Sequence, residues 1–361
     1  MTESTHLAAW RVAEEAFPRT GTAEEQLRFL AAYAILAPSI HNTQPWRFRI
    51  HGATLELYAD RGRALRIADP RERTLIISCG AALFNIRTAM YYFGCRGTAQ
   101  PFPEPRQADL LARVSLGGPM ASVGAWASLF HAIPHRVTNR GTFDVRQIAP
   151  DILADLRSAA RLEGGWLVPF TSQQARKQLE SMIDEGSRIQ FGNPDFRHEL
   201  ADWLRPGGDS EGVPRHAMGH AELPDYATSI IPFVIRAFNV GRRAAARNTR
   251  LAAGAPLLVC LGTARDDPLA WLNAGQALQR VLLTATANRL HASFLNQPIE
   301  VFKLRPRLLT LIERRGQPQI LLRLGRGTRR THTPRRRLDE VLAEDPGEDP
   351  GAAPDPYGMS A

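Results

Sequence analysis

The sequence predicts an α+β fold of two pseudo-symmetric repeats in one chain, each a mainly antiparallel sheet with packed helices. Three observations predict it. An alternating hairpin follows the first amphipathic segment, a long segment is apolar almost all round, and the order strand, Asp-Pro, helix, strand occurs in both halves. The chain has 361 residues, 44% of them hydrophobic, enough to bury one large core or two ordinary ones.

Periodicity predicts the elements of the first half one by one. Apolar residues at helical spacing before a proline predict a helix that ends at the proline. Strict alternation of apolar and polar residues predicts a hairpin, and an apolar run without a polar face predicts a buried helix. In chain order they are a helix over 23–37 ended by Pro38, a hairpin of Trp46–Ile50 and Leu55–Ala59 turning at His51-Gly52, a central helix over Leu75–Phe93 and a strand at Arg113–Leu116.

The second half repeats much of this plan. A strand at Leu257–Leu261 precedes Asp267-Pro268, which opens a long helix through Asn288. Aligning Gly80 with Gly275 places small residue beside small residue, which suits close packing of two core helices. The helices also share an Asp-Pro before them and a strand ending in Leu-Gly after them, at Asp69-Pro70, Asp267-Pro268, Leu116-Gly117 and Leu324-Gly325.

These patterns divide the chain. The segment between the halves is rich in Gly, Pro, His and charge, and we interpret it as an insertion and a candidate lid. The C-terminal segment is rich in Pro, Gly and acids, which is typical of disorder. The predicted units are an N-terminal extension 1–22, a first repeat 23–130, a second repeat 131–342 with the insertion 186–243, and a disordered tail 343–361.

Composition excludes several classes of protein. The sequence contains no run of 18 or more apolar residues, so no membrane span is predicted. The first 22 residues lack the pattern of a secretory signal, and we therefore expect a cytoplasmic protein. The net charge of +9 is carried by scattered arginines, with lysine only at Lys177 and Lys303, which disfavours a nucleic-acid partner. The cysteines form no CxxC pair and are expected to be buried thiols, at Cys79, Cys95 and Cys260.

Metal and nucleotide motifs are weak or missing. Two histidine pairs have the i,i+4 spacing of a zinc site, but a proline or glycine lies inside each pair, at His131–His135 and His216–His220. The sequence has no P-loop, Rossmann or GxSxG motif. We therefore expect no metal site.

The first segment that carries chemistry is residues 37–46, APSIHNTQPW, a polar loop between a helix and a strand. It presents a hydroxyl, an imidazole and two carboxamides within six residues, bracketed by two prolines. Carboxamides donate and accept together, which suits the alternating edge of a heterocycle. A structured turn whose side chains bond their own backbone is the alternative, and the residues alone favour neither.

The second segment is residues 135–140, HRVTNR, before a predicted helix from Pro150. Arg136 and Arg140 flank Thr138 and Asn139, a combination that suits a phosphate dianion because arginine pairs with phosphate in a planar, bidentate way. The alternative is that both arginines are solvated or paired with acids such as Asp144.

The first segment resembles the first signature of the nitroreductase superfamily, a helix ending in A-P-S-x-x-N-x-Q-P-W. The resemblance implies that Pro38, Ser39, His41, Asn42 and Gln44 contact the isoalloxazine and ribityl parts of FMN. The position of His41 varies in that superfamily. The second segment is similar to the R-x-S-x-R that grips the FMN phosphate at the start of nitroreductase chains. By this resemblance the phosphate contacts are Arg136, Thr138, Asn139 and Arg140.

Each half of the chain has only one of these two elements. The first half has no paired-arginine segment, and the second half has no PSxxNxQPW. Single-domain nitroreductases are homodimers with two flavin sites, each using both subunits. A fused copy that keeps one half-site per repeat would assemble one FMN site. This pattern resembles the Acg-like tandem family, over about Glu24 to Leu342.

Two further segments complete the implied site. In nitroreductases the backbone after the second core helix supplies N–H groups near flavin N5, which here implies Ala292 and Ser293; an ordinary helix-to-loop exit is the alternative. The superfamily's C-terminal basic residue corresponds to Arg335 or Arg336, and a cluster of five arginines leaves that choice open.

The implied function is an FMN-dependent oxidoreductase in which NAD(P)H reduces the flavin and a nitroaromatic or quinone reoxidises it. The cofactor carries this chemistry, so we name no catalytic side chain. The alternative is an FMN-sequestering protein of the Acg type, in which the insertion 186–243 covers the flavin and prevents NAD(P)H turnover. The fusion internalises the family's dimer contact, so the chain is expected to be a monomer or a homodimer.

Overall fold

The computed structural model describes residues 5–120, 124–205, 210–214, 217 and 230–343. The predicted tail from residue 344, part of the predicted insertion, and both His216 and His220 lie outside the described residues. The helices are α1 Ala23–Ala34, α2 Arg73–Tyr92, α3 Ala127–Ala132, α4 Pro150–Leu162, α5 Gln173–Gly192, α6 Pro194–Asp202, α7 Ile231–Ala237, α8 Gly241–Ala253, α9 Pro268–Ala287, α10 Gln297–Glu300 and α11 Arg305–Ile312. The strands are β1 Trp46–His51, β2 Thr54–Ala59, β3 Cys95–Pro101, β4 Leu110–Pro119, β5 Gly165–Pro169, β6 Leu204–Arg205, β7 Val213–Pro214, β8 Leu257–Thr263, β9 His291–Phe294 and β10 Gln317–Gly325.

Two four-stranded sheets have the same topology. Their strand orders are β1-β2-β4-β3 and β5-β8-β10-β9, so each places its first, second, fourth and third strand side by side. All pairings within both sheets are antiparallel. This confirms the predicted α+β class and its pseudo-symmetry.

One difference between the repeats lies before the first strand. In the first repeat residues 35–45 connect α1 to β1, whereas in the second only Glu163 and Gly164 connect α4 to β5. The predicted absence of a second PSxxNxQPW loop therefore corresponds to a two-residue turn, with Gly164 at φ +77°. Only the first repeat has room for a polar loop at this position.

Local signals explain the start of the first repeat. Thr22 and Glu25 form a capping box at the start of α1. The predicted hairpin is confirmed, with Trp46 opposite Ala59 and the turn at Gly52 in the left-handed region. The predicted Asp-Pro caps differ between the halves. Asp267 caps α9 directly, whereas Asp69 accepts the N–H groups of Thr74 and Leu75, several residues further along.

Helices α2 and α9 cross at the centre of the molecule and join the two repeats. Helix α2 is long and apolar enough to cross a membrane by length and composition, but 89% of its most apolar stretch is buried in the protein, as in a core helix. One hydrophobic cluster runs through both repeats, from Trp10 to Val341, and a second lies beneath β5, β8 and β10. The repeats therefore share a core.

Two features cross the predicted boundaries. Helix α5 continues through Gly186, where we placed the start of the insertion. Because Gly186 has no side chain, the backbone of α10 can approach closely here: a Cβ at Gly186 would lie 2.8 Å from Gln297 Cβ. The C-terminal segment returns to the first sheet, where Phe48 N–H donates to the Val341 carbonyl at 2.7 Å. The end of the second repeat thus borders the first.

Candidate functional site

A cavity lies where the two repeats meet. It collects the loop after α1, the segment before α4, the chain beyond β10 and the N-terminal extension. Its lining is Trp10, Pro38, Ser39, Asn42, Arg136, Val137, Thr138, Arg140, Gly141, Val213, Ala217, Arg330, Thr331, His332, Thr333 and Arg335. The structure therefore brings together seven of the residues that we predicted from sequence, from both repeats.

The loop after α1 holds an unusual backbone. His41, Asn42 and Gln44 all have positive φ angles, of 47°, 57° and 50°. Such angles are costly for residues with a Cβ and persist only where surrounding contacts impose them. One such contact is the Ser39 hydroxyl, which accepts the Gln44 backbone N–H at 2.9 Å. The loop presents its side chains from a fixed frame.

The two carboxamides of this loop are engaged by distant segments. The Asn42 side-chain amide donates to the Gly212 and Pro334 carbonyls, at 3.0 and 3.1 Å. The Gln44 amide donates to the Ser210 carbonyl at 2.8 Å and accepts the Arg336 backbone N–H at 2.8 Å. Residues 210–214 and Ala217, which we call the cover segment, therefore lie against the predicted flavin-ring loop.

Arg136 and Arg335 meet at the C-terminal end of α1. Both guanidinium groups donate to the Leu36 carbonyl, at 3.3 and 3.4 Å, and Arg335 also donates to Asn42 Oδ1 at 2.9 Å. The two side chains are 5% and 2% exposed, and the buried Nε of each has no hydrogen-bond partner among the described residues. They form a pair of like charges stabilised by helix-end carbonyls.

Burial and neighbouring positive charges lower the pKa values of the arginines that line the cavity. Burial lowers the pKa of Arg136 to about 10. Burial and the neighbouring Arg247 lower that of Arg140 to about 10, and burial with Arg136 lowers that of Arg335. Within the described ranges, no carboxylate forms an ion pair with Arg136, Arg140 or Arg335. Since buried charges are normally paired, the arginines of this cavity could accept an anion.

The segment before α4 is fixed by neighbouring backbone. Thr138 forms a β-bridge with Ala292, and Asn139 N–H donates to the Ala292 carbonyl at 2.9 Å. Arg323 donates to the carbonyls of Asn139 and Gly141, at 2.9 and 2.7 Å, and its guanidinium lies 4.2 Å from the Phe143 ring centre. Arg323 thus supports the loop that presents Arg136 and Arg140.

The remaining predicted residues lie outside the lining. His41 is partly buried, and burial together with Arg140 lowers its pKa to about 4. Ser293 pairs with Arg323 between β9 and β10. Arg336 faces away from the cavity, donating to the Gln44 and Glu340 carbonyls. Of the two candidate C-terminal arginines, Arg335 is therefore the one that lines the cavity.

Sequence reasoning missed part of the lining. Trp10 comes from the extension that we had assigned to neither repeat, and its indole N–H donates to the Thr333 carbonyl at 2.9 Å, across 323 residues. His332 stacks on Trp10 with ring centres 4.1 Å apart. Burial and the nearby arginines lower the pKa of His332 to about 4, so its imidazole is neutral at pH 7. The contact joins sequence-distant segments, and no local motif indicates it.

Two antiparallel sheets of matching topology, with an arginine-lined cavity where they meet, define a tandem α+β protein. The chain belongs to the nitroreductase superfamily. It is 32% identical over 323 residues to Rv3131 of Mycobacterium tuberculosis, a candidate NAD(P)H nitroreductase, covering 88% of this chain and 91% of that protein. It is 27% identical over 329 residues to Acg of the same organism, also a candidate NAD(P)H nitroreductase, covering 90% and 97%.

More distant similarities extend to solved structures. The FMN and NADPH-dependent nitroreductase NfnB from Sphigopyxis sp. strain HMH is 20% identical, covering 60% of this chain and 98% of that chain, with a TM-score of 0.38. A nitroreductase with bound FMN from Bacteroides fragilis is 16% identical, covering 55% and 88%, with a TM-score of 0.33. No family model matches the sequence.

Proposed function

We propose that this chain is an FMN-binding oxidoreductase of nitroreductase type, which uses NAD(P)H to reduce nitroaromatics or quinones in the cytoplasm. The observation that carries the proposal is a set of arginines without carboxylate partners among the described residues, the buried Arg136 and Arg335 and the partly buried Arg140. A phosphate would supply the missing negative charge. Membership in the nitroreductase superfamily and the names of its relatives support FMN as the phosphate-bearing ligand.

The residues fit FMN by charge and by donor type. The unpartnered Nε atoms of Arg136 and Arg335 are buried donors, and Thr138 adds a hydroxyl to the same lining. Pro38, Ser39 and Asn42 would face the ring end of the ligand. When bound, FMN would supply hydride transfer chemistry, while the protein supplies orientation and electrostatics. Ala292 accepts the Asn139 backbone N–H, and we propose it as a framework residue beside the flavin.

The size of the cavity adds a requirement. It encloses about 70 Å³, well below the roughly 300 Å³ at which small-molecule pockets begin. A flavin therefore needs the cover segment, whose Val213 and Ala217 line the cavity, to shift. We also propose the repeat boundaries 23–130 and 131–342, because each side of the site then belongs to one repeat. The part of the insertion 186–243 nearest the site then acts as a cover.

The test is the flavin content of the purified full chain, measured after acid release. We expect one FMN per polypeptide, because only one half-site of each kind is present. A colourless protein that also fails to bind added FMN contradicts the proposal, and so does a stoichiometry of two. Stopped-flow mixing of the holoprotein with NADPH under argon then tests turnover, with loss of the yellow absorbance as the expected result.

A second candidate function, FMN sequestration, is favoured by the cover segment. The Ser210 and Gly212 carbonyls occupy the amide donors of Gln44 and Asn42. A flavin held beneath this segment would be inaccessible to NAD(P)H. Full FMN occupancy with an absorbance that persists after mixing with NADPH would identify this function instead of the reductase.

A further inference from the structure

The N-terminal extension belongs to neither repeat, yet it reaches the site. A 3₁₀ turn at Thr5–Trp10 delivers Trp10, which is 8% exposed and lines the cavity. Further along, Phe17 stacks on Phe93 with ring centres 4.2 Å apart, and Tyr92 donates to Glu14. The extension is therefore anchored on the first repeat independently of Trp10.

Trp10 contacts the cationic part of the cavity with its ring face. The Arg335 guanidinium carbon lies 4.6 Å from the indole ring centre, within the range of a cation–π interaction. The indole N–H donates to the Thr333 carbonyl, and the Thr333 hydroxyl accepts from Arg335 at 2.6 Å. Trp10 thus holds Arg335 both directly and through Thr333.

The choice of an aromatic partner has an electrostatic consequence. A carboxylate beside Arg335 would cancel its charge and weaken its attraction for an anion. A ring face stabilises the cation by its quadrupole and leaves the net charge intact. His332, on Trp10 with an interplanar angle of 20°, is held neutral by burial and so adds no competing charge.

We propose that Trp10 is a positioning residue for Arg335: the extension supplies an aromatic face that holds a buried guanidinium in place and directed at the phosphate of the flavin. The inference rests on the proposed function, because it assumes that the anion is the FMN phosphate. The site is then built from three parts, the two repeats and the extension.

The test compares FMN with riboflavin, which lacks the phosphate, by calorimetric titration of the full-length apoprotein. Trp10→Leu removes the ring face and should weaken FMN binding roughly tenfold, with riboflavin binding unchanged. Trp10→Phe keeps a weaker ring face and should lie between. Glu15→Ala, at an exposed position of the same extension and outside the lining, is the control and should leave the ratio of the two affinities unchanged.

Each alternative outcome is distinct. Equal weakening of FMN and riboflavin by Trp10→Leu would mean that Trp10 contacts the ring or shapes the fold, which overturns the inference. Unchanged affinities would overturn it as well. If Trp10→Leu does not fold, the affinity ratio in Trp10→Phe decides. Failure of wild-type protein to bind either flavin would instead overturn the proposed function.

Discussion

Gly80 of α2 and Gly275 of α9 face each other where the two central helices cross. A Cβ added to Gly80 would lie 3.0 Å from the Gly275 Cα, and one added to Gly275 would lie 2.8 Å from the Gly80 Cα. Further along the same seam, the Gln279 amide donates to Asn85 Oδ1 at 2.7 Å. The repeats are therefore joined backbone to backbone, and the spacing of the half-sites depends on this crossing.

Substitution at the crossing should destabilise the whole protein. Gly80→Ala and Gly275→Ala each push a methyl group into helix backbone, against Leu272 and Ile77 carbonyls respectively. Rigid backbone cannot give way as a side chain can, so we expect a loss of about 1–3 kcal/mol in the free energy of unfolding, measured by urea denaturation. Gly118→Ala, with no atom within 4 Å of the new methyl group, is the control. Equal, small effects at all three positions would contradict the close approach.

Sequence periodicity predicted the fold where local signals and packing agree. The hairpin at Gly52 and the alignment of Gly80 with Gly275 are both confirmed. They were predictable because a tight turn and a close helix crossing both require small residues at particular positions. Helix ends were less accurate. Helix α1 ends at Ala34 rather than at Ala37 because the chain turns before Pro38, and β4 extends to Pro119, beyond the predicted Leu116, because pairing with β3 continues.

The site was predictable only where a motif is contiguous. Ser39, Asn42, Arg136 and Arg140 stand in two short segments, and both segments line the cavity. Sequence could not separate Arg335 from Arg336, since the direction of adjacent side chains depends on the backbone path after β10. Trp10 was missed because its contacts join distant parts of the chain. The cover segment lies within the insertion that we interpreted as a candidate lid, but its hydrogen bonds to Asn42 and Gln44 follow from no local motif.

Removing a buried arginine should change stability and binding in opposite directions. Arg136→Met deletes a desolvated charge without a carboxylate partner, so we expect the apoprotein to gain about 1 kcal/mol or more in its free energy of unfolding. The same variant should bind FMN about 10- to 100-fold more weakly, because a charge-assisted phosphate contact is lost, and riboflavin equally well. Arg157→Met, on an exposed part of α4, should change neither quantity. A destabilised Arg136→Met apoprotein would show that the charge is compensated in the free protein.

The stability of the apoprotein should fall in mild acid. His41 and His332 both have pKa values lowered to about 4, below the usual 6.5, chiefly by burial. As pH falls from 6.5 towards 4, the unfolded chain binds protons that the folded chain does not, so stability present above pH 6.5 is lost. At pH 5 this costs about 1–2 kcal/mol per histidine, measured by urea denaturation at pH 7.5 and 5. His332→Phe, which keeps the stacking on Trp10, should lose less stability than wild type between pH 7.5 and 5. A loss equal to that of wild type would show that protonation of His332 does not contribute to it.

The cover segment and helix α6 before it are each anchored to the first repeat by a carboxylate, and this anchoring should control access to the site. Glu199 accepts the backbone N–H groups of Ile67 and Ala68, at 3.0 and 2.8 Å, and Glu211 pairs with Arg63. Glu199→Ala leaves the two N–H groups without their acceptor, so hydrogen exchange at Ile67 and Ala68 should become at least tenfold faster. Asp155→Ala, an exposed carboxylate on α4, is the control.

The same variant separates the two candidate functions. If the cover segment limits access, Glu199→Ala should accelerate the bleaching of bound flavin by NADPH severalfold without lowering FMN content, because Glu199 lies outside the cavity lining and is not among the residues proposed to hold the phosphate. Bleaching that is fast in wild type and unchanged in the variant would identify an open reductase site. Bleaching that is absent in wild type and appears in Glu199→Ala would identify sequestration by a removable cover. Faster hydrogen exchange with no change in flavin reactivity would exclude this anchoring as the gate.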